Sequence, residues 1–172
     1  MTLILVGYMG SGKSSIGMKL SRILNYEFID LDTYIEEGIR MTISDIFKTK
    51  GEVFFIKQES FYLNEVIKKR HTIIALGGGT PCYGNNLDTL KKEEGIKTIY
   101  LKASIPNLVE RLFSEKSNRP LISHLENKTE LLEFIGKHLF ERAPFYEESE
   151  ITVKTDSLTI DQVVESILLQ LF

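Results

Sequence analysis

Gly7-Tyr8-Met9-Gly10-Ser11-Gly12-Lys13-Ser14 constrains this chain more than any other segment. It matches G-x-x-x-x-G-K-[ST] at every fixed position, and its flanks are those the motif needs. Leu3-Ile4-Leu5-Val6 precedes it, a continuous apolar run of the kind a strand buried on both faces shows. Lys13 to Leu24 follows, with Ile16, Leu20, Ile23 and Leu24 at helical spacing. A strand that turns through glycines into a helix aims several backbone N–H groups inward, and the helix N-terminus adds partial positive charge. Such a turn holds phosphates. Gly10, Ser11, Gly12, Lys13, Ser14 and Ser15 are therefore expected to bind a nucleotide. Lys13 should reach its β- and γ-phosphates, and the Ser14 hydroxyl should ligate Mg²⁺.

The rest of the chain repeats the alternation. Residues 27–30, 72–76, 98–101 and 151–153 read as further short strands. Helical patterns are expected over roughly 13–24, 31–37, 43–50, 52–69, 105–112, 129–139 and 158–172. Strands separated by helices imply βαβ crossovers. The fold expected is α/β, with three α/β/α layers around a five-stranded parallel sheet and residues 1–172 in one domain. Residues 114–124 are polar and aperiodic and carry Pro120, which suits a mobile lid.

Composition excludes several classes. Apolar residues make up 42% and charged ones 26%, as in ordinary globular chains, so disorder is excluded. The net charge of −3 removes the electrostatic basis of sequence-independent nucleic-acid binding. No apolar run approaches the ~18 residues a membrane span needs, and no basic segment followed by a long apolar one marks a signal peptide. The single cysteine, Cys82, allows no internal disulfide, which suits the cytoplasm.

Asp30 and Asp32 close the second strand two residues apart, so an extended backbone would put both on one face at the edge of the sheet beside the phosphate loop. One carboxylate there can hold Mg²⁺ through water while the other accepts a hydrogen bond from a substrate hydroxyl; alternatively Asp32 caps the next helix. Gly77-Gly78-Gly79 exceeds what a turn needs and offers free N–H groups close to a ligand. Arg119, in the polar lid, can close over a transferring phosphoryl group. Arg142 can grip a carboxylate through two parallel hydrogen bonds, or be an ordinary helix-end charge. Asn127-Lys128-Thr129-Glu130 falls one residue short of the guanine-reading N-K-x-D and reads as a solvated helix start capped by Thr129. His71, His124 and His138 show no metal spacing and are expected to have no role.

The ordered set GYMGSGKSSIG (7–17), FIDLD (28–32), GE (51–52), LGGGTP (76–81), RPL (119–121) and RAPFY (142–146) resembles the bacterial shikimate kinases and spans nearly the whole chain. The resemblance implies a fold of the nucleoside-monophosphate-kinase type and ATP-dependent phosphorylation of the shikimate 3-hydroxyl, with ATP and Mg²⁺ as cofactors and a cytoplasmic monomer. By position, it implies that Lys13 contacts the transferring phosphate, Ser14 and Asp30 serve the metal, and Asp32 binds the substrate hydroxyls and takes the proton. It likewise implies that Gly78, Gly79 and Arg142 bind shikimate, that Arg119 is the lid arginine and that Arg111 stacks on adenine. The substrate-binding subregion implied is about 31–60.

One position departs from the family pattern. After Gly51-Glu52 the pattern continues to Phe-Arg, and its arginine grips the shikimate carboxylate; here Phe55 is followed by Ile56. Isoleucine has no donor, and neighbouring Lys57 points about 100° away on a helix. Either shikimate binds weakly, or another group compensates, or the acceptor is another small hydroxylated acid such as a sugar acid; a P-loop nucleotide binder without turnover is the alternative of a different class.

Overall fold

Five strands form one sheet in the order β2-β3-β1-β4-β5, with every neighbouring pair parallel. They are β1 (Thr2–Val6), β2 (Glu27–Asp30), β3 (Thr72–Ala75), β4 (Ile96–Lys102) and β5 (Ile151–Lys154). The computed structural model describes all 172 residues and adds eight α-helices, α1 (Lys13–Leu24), α2 (Leu31–Ile39), α3 (Ile43–Lys50), α4 (Glu52–Val66), α5 (Asn86–Lys92), α6 (Ile105–Glu115), α7 (Lys128–Tyr146) and α8 (Ile160–Leu171). No helix is long and apolar enough to cross a membrane.

Alternation along β1 divides the interior in two. Leu3 and Leu5 pack with Ile16 and Leu20 of α1 and Val163 and Ile167 of α8. Ile4 and Val6 belong to the opposite core, with Ile35 of α2, Leu63 of α4, Leu108 of α6 and Ile135 of α7. Each fully buried Leu or Ile contributes about 1.5–3 kcal/mol, so this central strand is held from both sides. Chain order reverses across β1, whose neighbours are β3 and β4. Its carboxyl end therefore opens into the crevice where doubly wound sheets bind ligands.

The strands and α1 fall where periodicity puts them, and four other features differ. Helix α5 was not expected; its seven residues bury only Asn86 and Leu90, too few to reveal a period. Helix α7 runs on to Tyr146 instead of stopping near 139. Pro144 lies in its last turn, where the missing N–H forfeits a single bond. Its cap is Asn127, whose Oδ1 accepts from Glu130 N at 2.9 Å, and not Thr129. In the expected lid, α6 continues to Glu115, a 3₁₀ turn spans Lys116–Asn118, and Ile122 is fully buried. One buried side chain pins a segment that is mostly polar and whose neighbouring Leu121 is exposed.

Candidate active site

The phosphate loop is shaped by backbone that only glycine adopts easily. Gly12 precedes α1 at φ 94°, with no side chain capping the helix. The first N–H groups of α1 are thus left for an anionic ligand. Lys13 Nζ donates to the carbonyls of Gly7 (2.8 Å) and Tyr8 (3.0 Å), and Tyr8 O also accepts from Ser11 N at 3.2 Å. Burial lowers the Lys13 pKa to about 8, against the pull of Asp32 and Asp30. The Ser11 hydroxyl is buried without a partner.

Asp30 and Asp32 do not share an extended segment. β2 ends at Asp30, and Asp32 is the second residue of α2. The helix cap is Asp30, not Asp32. Asp30 Oδ1 accepts from Thr33 N at 3.2 Å, and Oδ2 accepts from Ser14 Oγ at 3.1 Å. The Ser14 hydroxyl and one carboxylate oxygen therefore stand together, the hard oxygen donors Mg²⁺ prefers. The chain has no group of three or more His, Cys, Asp or Glu able to hold a metal. Two oxygens suit Mg²⁺ shared with phosphates and water, and no all-protein cage is needed. The Asp32 carboxylate lies against Gly77, where an added Cβ would come within 2.9 Å of Oδ1. Burial, and then the charge of Asp30, push Asp32 up to about 6.

The glycine run separates this carboxylate from a second one. Glu59, on α4, is buried and accepts from Thr80 Oγ1 at 2.7 Å. Burial raises it to about 7, and the Thr80 bond opposes the rise. A Cβ on Gly77 would also meet Thr80 Oγ1 at 3.1 Å and Glu59 Oε2 at 3.4 Å, so no other residue fits between the two acids. Arg142 Nη1 would lie 3.0 Å from a Cβ on Gly78, and Nη2 3.3 Å from one on Gly79. None of the seven ion pairs includes Arg142, which leaves its charge available beside the glycines. The Tyr146 hydroxyl donates to Gly78 O at 2.5 Å.

One cleft of about 510 Å³ gathers most of these groups. Its lining includes Gly10, Ser11, Gly12, Lys13, Ser14 and Ser15 of the phosphate loop, Asp30 and Asp32, Gly78, and the arginines Arg111 and Arg119. Gly79 and Arg142 lie outside this lining, next to Gly78. Arg111 Nη1 donates to Gly10 O at 3.1 Å. Arg119 is paired with Glu115 through Nε (3.1 Å) and Nη2 (2.8 Å). Exposed pairs of this i,i+4 kind contribute about 0.3–0.5 kcal/mol, so a phosphate can readily take the guanidinium.

Glu59, Tyr8, Tyr146 and His138 were not among the expected site residues. Glu59 left a signal: it sits on the buried stripe Phe55, Glu59, Leu63, Val66 of α4, where a carboxylate is out of place unless it has work. His138, expected to have no role, hydrogen-bonds the Tyr8 hydroxyl through Nδ1 at 2.9 Å.

Comparison with known proteins points the same way. The family model described as "Shikimate kinase" matches residues 9–172. A shikimate kinase of Flavobacterium johnsoniae is 44% identical over 167 residues, 96% of each chain. The crystal structure of a shikimate kinase from Bacteroides thetaiotaomicron superimposes with a TM-score of 0.92 at 34% identity, covering 99% of this chain and 98% of the other. A shikimate kinase from Acinetobacter baumannii, solved in complex with shikimate, gives 0.86 at 32% identity, covering 99% and 92%.

Proposed function

The chain belongs to the shikimate kinase family, and on that premise we propose that it transfers the γ-phosphoryl group of ATP to the 3-hydroxyl of shikimate, supplying chorismate and aromatic amino-acid biosynthesis. The observation that carries this reading is the meeting, in one cleft, of the phosphate-loop Lys13, the Ser14–Asp30 oxygen pair and the Asp32 carboxylate.

Each residue then has a task. The α1 N-terminus and Gly10 to Ser15 cradle the phosphates. Lys13 leaves the Gly7 and Tyr8 carbonyls for the β- and γ-phosphates. Ser14 and Asp30 would hold Mg²⁺, which would supply charge neutralisation on the phosphate oxygens. Asp32 orients the acceptor hydroxyl and takes its proton, a role that suits a carboxylate whose pKa is raised toward neutrality. Arg142 grips the shikimate carboxylate beside Gly78 and Gly79. Arg119 swings from Glu115 onto the transferring group as 114–124 closes, excluding water. Arg111 flanks the adenine end, and 31–60 forms the acceptor side. The protein works on small molecules as a cytoplasmic monomer.

The test is ADP release from MgATP with and without shikimate, with the product identified by mass and the phosphate located by NMR. Saturable, shikimate-dependent release of shikimate 3-phosphate is expected. Release stimulated by gluconate and not by shikimate would transfer the assignment to a sugar-acid kinase, and nucleotide binding without release would leave a non-catalytic binder.

Ile56 favours attention to the acceptor. It is half-buried on α4, three residues before Glu59, and with no donor there Arg142 grips the carboxylate alone. Ile56→Arg should lower the shikimate KM by about 10- to 100-fold, the value of a hydrogen bond to a charged group. An unchanged or higher KM would mean that the pocket is built around isoleucine.

A further inference from the structure

Behind the glycine run lies a chain of buried polar side chains that the transfer reaction does not use. Glu59 of α4, Thr80 and Asn86 are each at most 3% exposed. Thr80 Oγ1 donates to Glu59 Oε2 at 2.7 Å. Asn86 Nδ2 donates to Thr80 O at 2.9 Å, and Ser60 Oγ donates to Asn86 Oδ1 at 2.7 Å. The Thr80 carbonyl can only accept, so it sets the orientation of the Asn86 amide. Thr80 N donates in turn to Gly77 O at 3.1 Å. Thr80 is thus held at its N–H, its carbonyl and its hydroxyl, and it is an anchor for whatever it bonds.

What it bonds is a carboxylate with an unpaired cation close by. None of the seven ion pairs includes Glu59 or Arg142. Glu59 Oε2 would lie 3.4 Å from a Cβ on Gly77, and Arg142 Nη1 3.0 Å from one on Gly78, so the two charges flank successive glycines. Burial raises Glu59 to about 7, and the Thr80 bond and then the Arg142 charge oppose the rise. Ile56, three residues earlier on α4, has no donor to offer. The Thr80 hydroxyl has one proton to donate, and Glu59 takes it. A buried carboxylate that loses its donor is left unsatisfied, and the next available donor relieves the cost. Here that donor is the Arg142 guanidinium, whose planar fork matches a carboxylate. A fork filled by Glu59 is closed to the carboxylate of an acceptor.

We propose that Thr80 is a positioning residue for the acceptor site: its hydroxyl ties Glu59 down beside Gly77 and so keeps that carboxylate from pairing with Arg142, whose guanidinium stays open to the acceptor. This rests on the assignment of Arg142 to the shikimate carboxylate. An internal carboxylate in the fork competes for a hydrogen-bonded charge, which corresponds to about 10- to 100-fold in acceptor affinity.

The test is calorimetric, at pH 7.5, above the value of about 7 to which burial raises Glu59. The Kd of shikimate and the Kd of MgADP are measured in the unmodified protein and in Thr80→Val, Thr80→Ser, Glu59→Gln and the double variant Thr80→Val/Glu59→Gln. Thr80→Val should weaken shikimate binding by about 10- to 100-fold and leave MgADP binding as it was. Thr80→Ser, which keeps the hydroxyl, should bind shikimate as the unmodified protein does. The double variant should bind shikimate as tightly as Glu59→Gln alone, because a neutral amide does not compete for the guanidinium as a carboxylate does. Thr80→Ala takes the place of the valine variant if a thermal melt shows that valine does not fold. Unchanged shikimate binding in Thr80→Val overturns the proposal. So does a double variant as weak as Thr80→Val, or a parallel loss of MgADP binding, since either marks a merely structural role. Failure of shikimate to bind the unmodified protein overturns the functional reading and this inference with it. Shikimate binding that survives Arg142→Ala unweakened overturns this inference and leaves the reaction assigned.

Discussion

Lys13→Ala should lower kcat/KM for ATP by about 10³-fold or more while leaving the fold intact. Removing one neutral donor from a transition-state oxyanion costs about 10²–10³ in kcat, and Lys13 brings a full charge to a group that carries negative charge on three oxygens. The intact fold follows from the energetics of the empty loop. Burial depresses the Lys13 pKa to about 8, so the folded protein disfavours its ammonium relative to water. The sign is that of a lysine with a lowered folded pKa: below about pH 8 the charged side chain opposes folding, and alanine removes the opposition. Loss of the bonds to Gly7 and Tyr8 carbonyls acts the other way at about 0.5–1.5 kcal/mol each, so the melting temperature should move little. Steady-state kinetics beside a calorimetric melt checks both halves. Near-normal turnover, or a collapsed melt, would refute the assignment.

Asp32→Asn should lower kcat by about 10²–10⁴-fold, the usual worth of a positioned base, with a smaller change in KM for ATP. The same substitution should reshape the pH profile. In the unmodified enzyme kcat/KM should fall below about pH 6, as Asp32 gains a proton, and above about pH 8, as Lys13 loses one. An asparagine side chain has no such titration, so the acid limb should flatten in the variant. Glu59, raised to about 7, is the competing source of that limb. If Glu59→Gln flattens it and Asp32→Asn does not, the base has been misassigned.

The legible parts of the molecule are those whose signal is local. The run Leu3 to Val6, the glycines after it and the spacing of Ile16 and Leu20 lie within one βα unit, so strand, loop and helix could be read together. Asp32 lines the cleft beside the phosphate loop from the first turn of a helix and not from an extended segment. An extended segment and a strand that turns directly into a helix both end at the sheet edge, and only coordinates distinguish them. Ile122 looked like part of a polar lid because burial of one isolated isoleucine produces no period. Tyr8 and His138 stand 130 residues apart, and nothing in either neighbourhood announces the other. Pairs of that kind are fixed by which helix crosses which loop, a property of the assembled sheet.

Asp30 serves two masters, since one carboxylate oxygen starts α2 and the other faces Ser14. A helix cap alone is worth about 0.5–2 kcal/mol, so selection for folding would keep this aspartate in a lineage that had abandoned turnover. Lys13 and Asp32 are the reverse, because burial works against the charged form of each. Folding gives a drifting lineage no reason to retain them. In a descendant of this chain, the survival of Asp30 would therefore testify only to architecture. Lys13 and Asp32 are the residues whose loss would date the end of catalysis.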